Sequence, residues 1–239
     1  MLNANTRMRI FYPLPSLKIA NGTLEAMKWL AMLAMTIDHI NRIFWNTSSY
    51  TALSIGRLAM PLFAFIFAYN LARPEALAHG TYGRAFKRLI LFGLLATPAY
   101  MAMRYLQHIY PFNIMFSFFI AALCMFLYEK GGVDNIILAV FLFFIGGVFV
   151  EYNWQGIAFC LSCWFYCKKP SLTALIASVF FCVFIARFNG NNWALASLPI
   201  ILLATKLDLT FPRIPYFFYA YYPLHLTVLV LLSKYLGYR

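Results

Sequence analysis

An adjacent aspartate and histidine, Asp38 and His39, break an apolar run that opens at Lys28 and reads WLAMLAMTI in between. A histidine in such surroundings suits proton transfer, and ionisable groups inside a membrane helix are costly enough to mark a functional position. At about 100° per residue, the eleven-residue step from Lys28 to His39 returns to within roughly 20° of one helix face, with a rise of about 16 Å. The two residues therefore line one stripe, with Lys28 near the surface and His39 near mid-bilayer. Asp38 points about 100° away from His39, so its carboxylate is expected to pair with a cation on another helix. Arg57, the one arginine embedded in the second apolar segment, is the candidate. A buried ion pair beside a histidine that only packs is the plainer reading of the same residues.

Three further clusters carry polar chemistry. Gly56 and Pro61 bracket Arg57, and Pro61 leaves a carbonyl free one turn earlier, which suits a helix that kinks beside a cavity. Arg84, Lys87 and Arg88 share a helix face at i, i+3 and i+4. Such a set can hold phosphates, or can simply mark a cytoplasmic helix end. In the last apolar segment, Tyr219 and His225 flank Pro223 and can face a cavity or pack. Asn41 and Asn113 add two further polar side chains, Asn113 at the start of the fourth apolar run. His79 and His108 fall in loops, and Glu151 and Gln155 flank a turn that can belong to an entrance. Cys160, Cys163 and Cys167 recur at helical spacing, but Phe159, Leu161, Trp164 and Phe165 surround them without a histidine or carboxylate. They read as small hydrophobes, and no metal site is expected.

These groups must be carried by membrane helices. The chain is 63% hydrophobic and 11% charged, more apolar than a soluble domain of 239 residues requires. The net charge of +12 is dispersed over short loops rather than gathered in a patch, so topology explains it better than nucleic-acid binding. No cleavable signal peptide is evident, because Pro13, Pro15 and Gly22 interrupt the N-terminal stretch. The apolar runs predict an all-α, polytopic transmembrane helical bundle of about nine spans, near 25–46, 50–72, 85–104, 112–128, 134–151, 154–167, 171–188, 192–206 and 215–236. We expect a single domain over 1–239, with 1–24 a cytoplasmic or interfacial segment. With the N-terminus in the cytoplasm, most of the 19 Lys and Arg residues fall inside, including Arg7, Arg9, Arg84, Lys87, Arg88, Lys168 and Arg213. Arg42, Arg104, Arg187, Lys234 and Arg239 fall outside.

Taken in order, Lys28 through Phe44, Gly56 through Ala64, Asn70-Leu71, Arg88-Leu89, Asn113, Tyr152 through Ala158 and Phe218 through Leu226 resemble the TraX family. These are conjugation-associated membrane proteins linked to N-terminal acetylation of pilin. The family in turn looks distantly related to integral-membrane acyltransferases that modify sugars, including heparan-α-glucosaminide N-acetyltransferase. Several of those carry a basic residue about ten positions before a catalytic histidine. Lys28 and His39 repeat that spacing, with Lys where Arg is usual, which weakens bidentate phosphate recognition.

The resemblance implies a multi-pass enzyme of the bacterial inner membrane that uses acetyl-CoA as donor and a pilin subunit as acceptor. It assigns His39 as general base or acetyl relay, with Asp38 beside it. Lys28, Arg57, Arg84, Lys87 and Arg88 become the cofactor-binding set, and Asn41, Asn113, Tyr219 and His225 the cavity wall, with Asn41 or Asn113 as the donor to a developing oxyanion. Competing readings are an O-acetyltransferase acting on a surface glycan, a proton-coupled transporter using the same intramembrane charges, and an assembly factor that only binds pilin. The missing internal repeat and the Lys28/His39 stripe favour the enzyme over the transporter.

Overall fold

The computed structural model describes residues 14–238, so Arg7, Arg9 and Arg239 of the charge argument lie outside the described residues. Helices account for nearly all regular structure there: α1 (Asn21–Phe44), α2 (Tyr50–Gly56), α3 (Ala59–Leu71), α4 (Thr81–Arg104), α5 (Ile114–Lys130), α6 (Val133–Phe149), α7 (Asn153–Lys168), α8 (Leu172–Phe188), α9 (Ser197–Ala204) and α10 (Phe217–Tyr235). A short 3₁₀ turn, Trp193–Ala196, leads into α9. The single β contact among the described residues is an isolated bridge between Phe112 and Val150.

Each apolar run expected to be a span contains one of these rods. The second run holds two, α2 and α3, which form one 22-residue apolar rod interrupted at Arg57 and Leu58. Pro61 is the third residue of α3. In the first turn of a helix its missing N–H deprives no earlier carbonyl within that helix of a partner, so the rod restarts there without further loss.

Among the described residues two rods are long and apolar enough to cross a bilayer, 50–71 and 81–104, and 133–149, 172–188 and 193–204 are apolar but shorter. α1 is as long as α4, yet Glu25, Lys28, Asp38 and Arg42 lower its hydropathy. The surface carries the stronger membrane signal. Leu91, Leu94 and Leu95 on α4, Phe141, Phe144 and Ile145 on α6, Ile176 and Phe180 on α8, and Leu224 and Leu231 on α10 are all exposed. A soluble protein rarely shows so broad an apolar surface. α6 is the extreme case, burying only Gly147.

Inside, α1 packs on α2, α3 and α10, α4 on α5 and α10, and α3 on α7. Small residues let the rods close up: Ala64 and Ala68 of α3 are fully buried, and the Cys160 thiol of α7 sits 3.5 Å from the Ala64 carbonyl. The cysteines thus serve packing. The segment before α1 is also tied down, with Ile19 N–H donating to the Tyr69 hydroxyl (3.0 Å) and the Tyr166 hydroxyl donating to the Pro15 carbonyl (3.0 Å). Caps fix several ends: Ser49 accepts from Ala52 N–H, Asn113 from Met115 N–H, and Ser171 from Ala174 N–H. Where the loop before α10 crosses the start of α1, Leu209 O lies within 1.9 Å of where a Cβ on Gly22 would stand, so only glycine fits. Thr23 clamps the crossing, its hydroxyl donating to Leu207 O (2.9 Å) and accepting from Leu209 N–H (3.0 Å).

Candidate functional site

One cavity of about 990 Å³ runs among α1, α2, α3, α4 and α10. One end opens beside the starts of α1 and α4, where Lys28, Arg73, Arg84, Arg88 and Arg213 form a basic mouth with Tyr216 and Phe211. The other end holds His39, Asp38, Arg42, Arg57, Arg104, Glu151 and Asn189. Lys28 and His39 border the same cavity, as a shared helix stripe requires.

Local sequence explains the basic mouth. α4 begins directly after Gly80, which adopts φ +63°, and its first turns present Arg84 and Arg88 inward. Arg88 lies 4.3 Å above the Tyr216 ring and 5.7 Å from that of Tyr219, a cation–π stack that holds it at the wall. Lys28 is more engaged than its sequence context implies. Its Nζ is 2.7 Å from Oε1 of Glu25, one turn earlier and itself buried, and it also lies over the Phe218 ring at 5.6 Å.

At the histidine end, Arg57 Nη2 donates to Asp38 Oδ1 (3.1 Å), the cross-helix pair expected from sequence, and Arg57 Nη1 donates to Asn189 Oδ1 (3.1 Å). Arg42 reaches the other Asp38 oxygen at 3.7 Å. His39 does not turn to Asp38. Its Nδ1 is 2.7 Å from Nε2 of His225, with the two rings 11° from parallel and their centroids 5.0 Å apart. Nδ1 of His225 lies 2.8 Å from the carbonyl of Tyr221. The Tyr221 hydroxyl is 2.8 Å from Thr36 Oγ1 on α1. A second ion pair, Arg104 Nη1 to Glu151 Oε1 (3.0 Å), closes this end, and Arg104 also donates to the Tyr100 hydroxyl (3.2 Å). Glu151 lies in the turn between α6 and α7.

His39 stands about 8 Å from the C-terminal end of α1 and about 27 Å from its start, because the clamp on Gly22 and Thr23 starts the helix earlier than its apolar run. Four of the expected site residues do not line the cavity directly. Asn41 and Asn113 do not reach the cavity. Asn41 is fully buried and binds both the N–H (3.1 Å) and the carbonyl (3.0 Å) of Ser49, joining α1 to α2. Asn113 caps α5 and donates to Gly93 O (2.9 Å) and Thr97 Oγ1 (3.2 Å), joining α5 to α4. Both amide hydrogens of Asn113 are engaged, and Asn41 is buried away from the cavity wall. Lys87 is exposed and lies off the cavity wall, whereas Arg84, Arg88, Arg57, Tyr219 and Asp38 line it. His225 reaches the site through His39.

Sequence reasoning passed over Glu25, Arg73, Arg213, Thr36, Tyr221 and Asn189 as site residues, and took Arg42 and Arg104 for topology signals. Glu25 carried a usable signal, three residues before Lys28 on the same face. Arg104 and Glu151 each sit at the end of an apolar run, and only the packed bundle brings them together.

The described residues form an all-helical bundle, apolar on its outside as a membrane protein's surface is, with a cavity entered through a basic mouth and bordered at its far end by His39, which meets His225. The chain belongs to the TraX family, whose match, described as TraX protein, covers residues 23–233. It is 24% identical over 206 residues to an uncharacterized protein of Rickettsia prowazekii (strain Madrid E), covering 78% of this chain and 76% of that one. It is 35% identical over 101 residues to the Escherichia coli protein TraX, covering 42% of this chain and 38% of that one. No solved structure matches.

Proposed function

We propose that this chain is an inner-membrane acetyltransferase that carries the acetyl group of cytoplasmic acetyl-CoA to the N-terminal amine of a pilin subunit. The observation that carries the reading is one cavity bordered by cations at one end and by His39 at the other. In this reading the apolar rods cross the bilayer nine times with the N-terminus cytoplasmic, so the basic mouth meets the CoA pool. Family membership supports pilin as acceptor and conjugation as setting.

The residues divide the work by position. Lys28, Arg84 and Arg88 hold the phosphates of CoA, joined by Arg73 and Arg213, because charge-assisted hydrogen bonds to phosphate are the strong ones. The pantetheine arm follows the α1 stripe over the roughly 16 Å from Lys28 to His39, and the thioester lies beside the imidazole. As the acceptor amine attacks the carbonyl carbon, His39 takes its proton. The C–S bond then breaks, and the departing thiolate recovers that proton from the imidazolium. Arg42, Arg57 and Arg104 set a positive field for the developing oxyanion, a role the two asparagines cannot fill. Asp38 and Glu151 hold Arg57 and Arg104 in place.

Acetyl-CoA binding and slow hydrolysis by the purified protein test this reading. Lys28→Ala is expected to weaken binding, and His39→Ala to bind normally but lose turnover. No affinity of the wild type for CoA would overturn the reading and return the intramembrane charges to a transport pathway.

A further inference from the structure

We infer that His225 is a positioning residue, which holds His39 in the one tautomer that presents a free base to the cavity. This rests on the reading of His39 as the base. The chain of hydrogen bonds starts at Tyr221. A carbonyl oxygen only accepts, so the 2.8 Å contact between it and His225 Nδ1 requires that Nδ1 carry the hydrogen. In a neutral ring the proton on Nδ1 leaves Nε2 as an acceptor. That nitrogen faces His39 Nδ1 at 2.7 Å, so His39 must donate, and its own proton is fixed on Nδ1. Its Nε2 is then the lone-pair nitrogen. Among the described residues that atom has no protein hydrogen-bond partner, and His39 borders the cavity.

Packing holds the chain of rings in register. The Tyr221 ring lies 8° from parallel to that of His225, with centroids 4.8 Å apart, and the His225 ring meets that of His39 edge to edge, 11° from coplanar, as an in-plane N–H bond requires. The Tyr221 hydroxyl is anchored on Thr36 of α1, which itself donates to Met32 O (2.8 Å). Tyr221 therefore orients His225 by its carbonyl, its ring face and its attachment to the neighbouring helix. When His39 Nε2 takes the amine proton, the Nδ1–H bond to His225 remains and strengthens as positive charge spreads over the ring. His225 thus does for His39 what a carboxylate does in a serine-protease triad, with a neutral acceptor. Asp38, adjacent in sequence, is held instead by Arg57 and Arg42.

The test pairs ¹⁵N-histidine spectra with steady-state acetyl-CoA turnover in wild type, His225→Phe and His225→Gln. Phe keeps a stacking ring and removes the acceptor, whereas the Gln carbonyl can stand where Nε2 stood. In the wild type the His39 Nε2 signal, assigned by its loss in His39→Ala, should be unprotonated. His225→Phe should mix the tautomers and lower kcat about 100-fold or more, with the KM for acetyl-CoA changed less than about threefold, and Gln should recover to within about tenfold of wild type. A wild-type His39 protonated at Nε2 overturns the inference, as does full turnover in His225→Phe. If Phe does not fold, a Gln variant with Nε2 protonated overturns it equally. A wild type that never turns over acetyl-CoA defeats the acetyltransferase reading instead, while the spectrum still decides the tautomer.

Discussion

A Cβ added to Gly56 would stand 2.4 Å from the Cβ of Asp38, so α2 lies against α1 as closely as glycine permits. That approach sets the short reach from Arg57 to Asp38. Gly56→Ala should force the helices apart, destabilising the protein by about 1–3 kcal/mol in thermal unfolding in detergent and lowering turnover along with stability. Removing the cation has a different signature. Arg57→Ala leaves a mostly buried carboxylate with only the longer Arg42 contact, and a loss of about 3 kcal/mol or more is expected. The double variant Asp38→Asn/Arg57→Gln should recover much of it, measured in the same unfolding series. Sequence reasoning reached this pair because Arg57 is the only arginine within its apolar run. It did not reach the bond between His39 and His225, 186 residues apart, because nothing local in either segment records that α1 and α10 lie side by side.

Among the elements, the junction of α4 and α5 and the opening turns of α4 make separable predictions. Asn113 looked like an oxyanion donor from its place at the start of an apolar run, yet that place is the N-cap of α5. Asn113→Ala removes the cap and two bonds to α4 and should cost about 2 kcal/mol in unfolding, with kcat per folded molecule unchanged. The first turns of α4 separate three cations that the sequence could only group. Arg88→Ala should weaken CoA binding roughly tenfold or more by calorimetry, the scale of a lost charge-assisted bond, whereas Lys87→Ala should leave it unchanged. Helical spacing puts Arg84, Lys87 and Arg88 on one broad face. Which edge of that face turns inward depends on the start of α10, where Tyr216 and Tyr219 receive Arg88, while Lys87 lies off the cavity wall. Helix placement was more legible than helix contact, because apolar length and breaking residues act locally. The split of the second rod at Arg57 followed the proline signal.

Across the whole molecule, the apolar outer surface and the ionisable groups gathered at the cavity are two consequences of one composition. Outer rods such as α6 and α8 are apolar over most of their exposed surface, and Asp38, His39, Arg57 and Arg104 lie instead on helices that border the cavity. The membrane class was legible from that composition. The cavity itself was not, since its wall is assembled from residues between Asn21 and Tyr222 that meet only after the rods pack. Passage of an acetyl group from the basic mouth to the histidine end is the claim on which the proposed function depends. Its most direct test uses proteoliposomes of known orientation, with radiolabelled acetyl-CoA confined to the side of Lys28 and Arg88 and a pilin N-terminal peptide confined to the other. Wild type should label the peptide amine and His39→Ala should not, although it still binds CoA. Labelling that appears only when donor and peptide share a side, or that persists at the wild-type rate in His39→Ala, would contradict it.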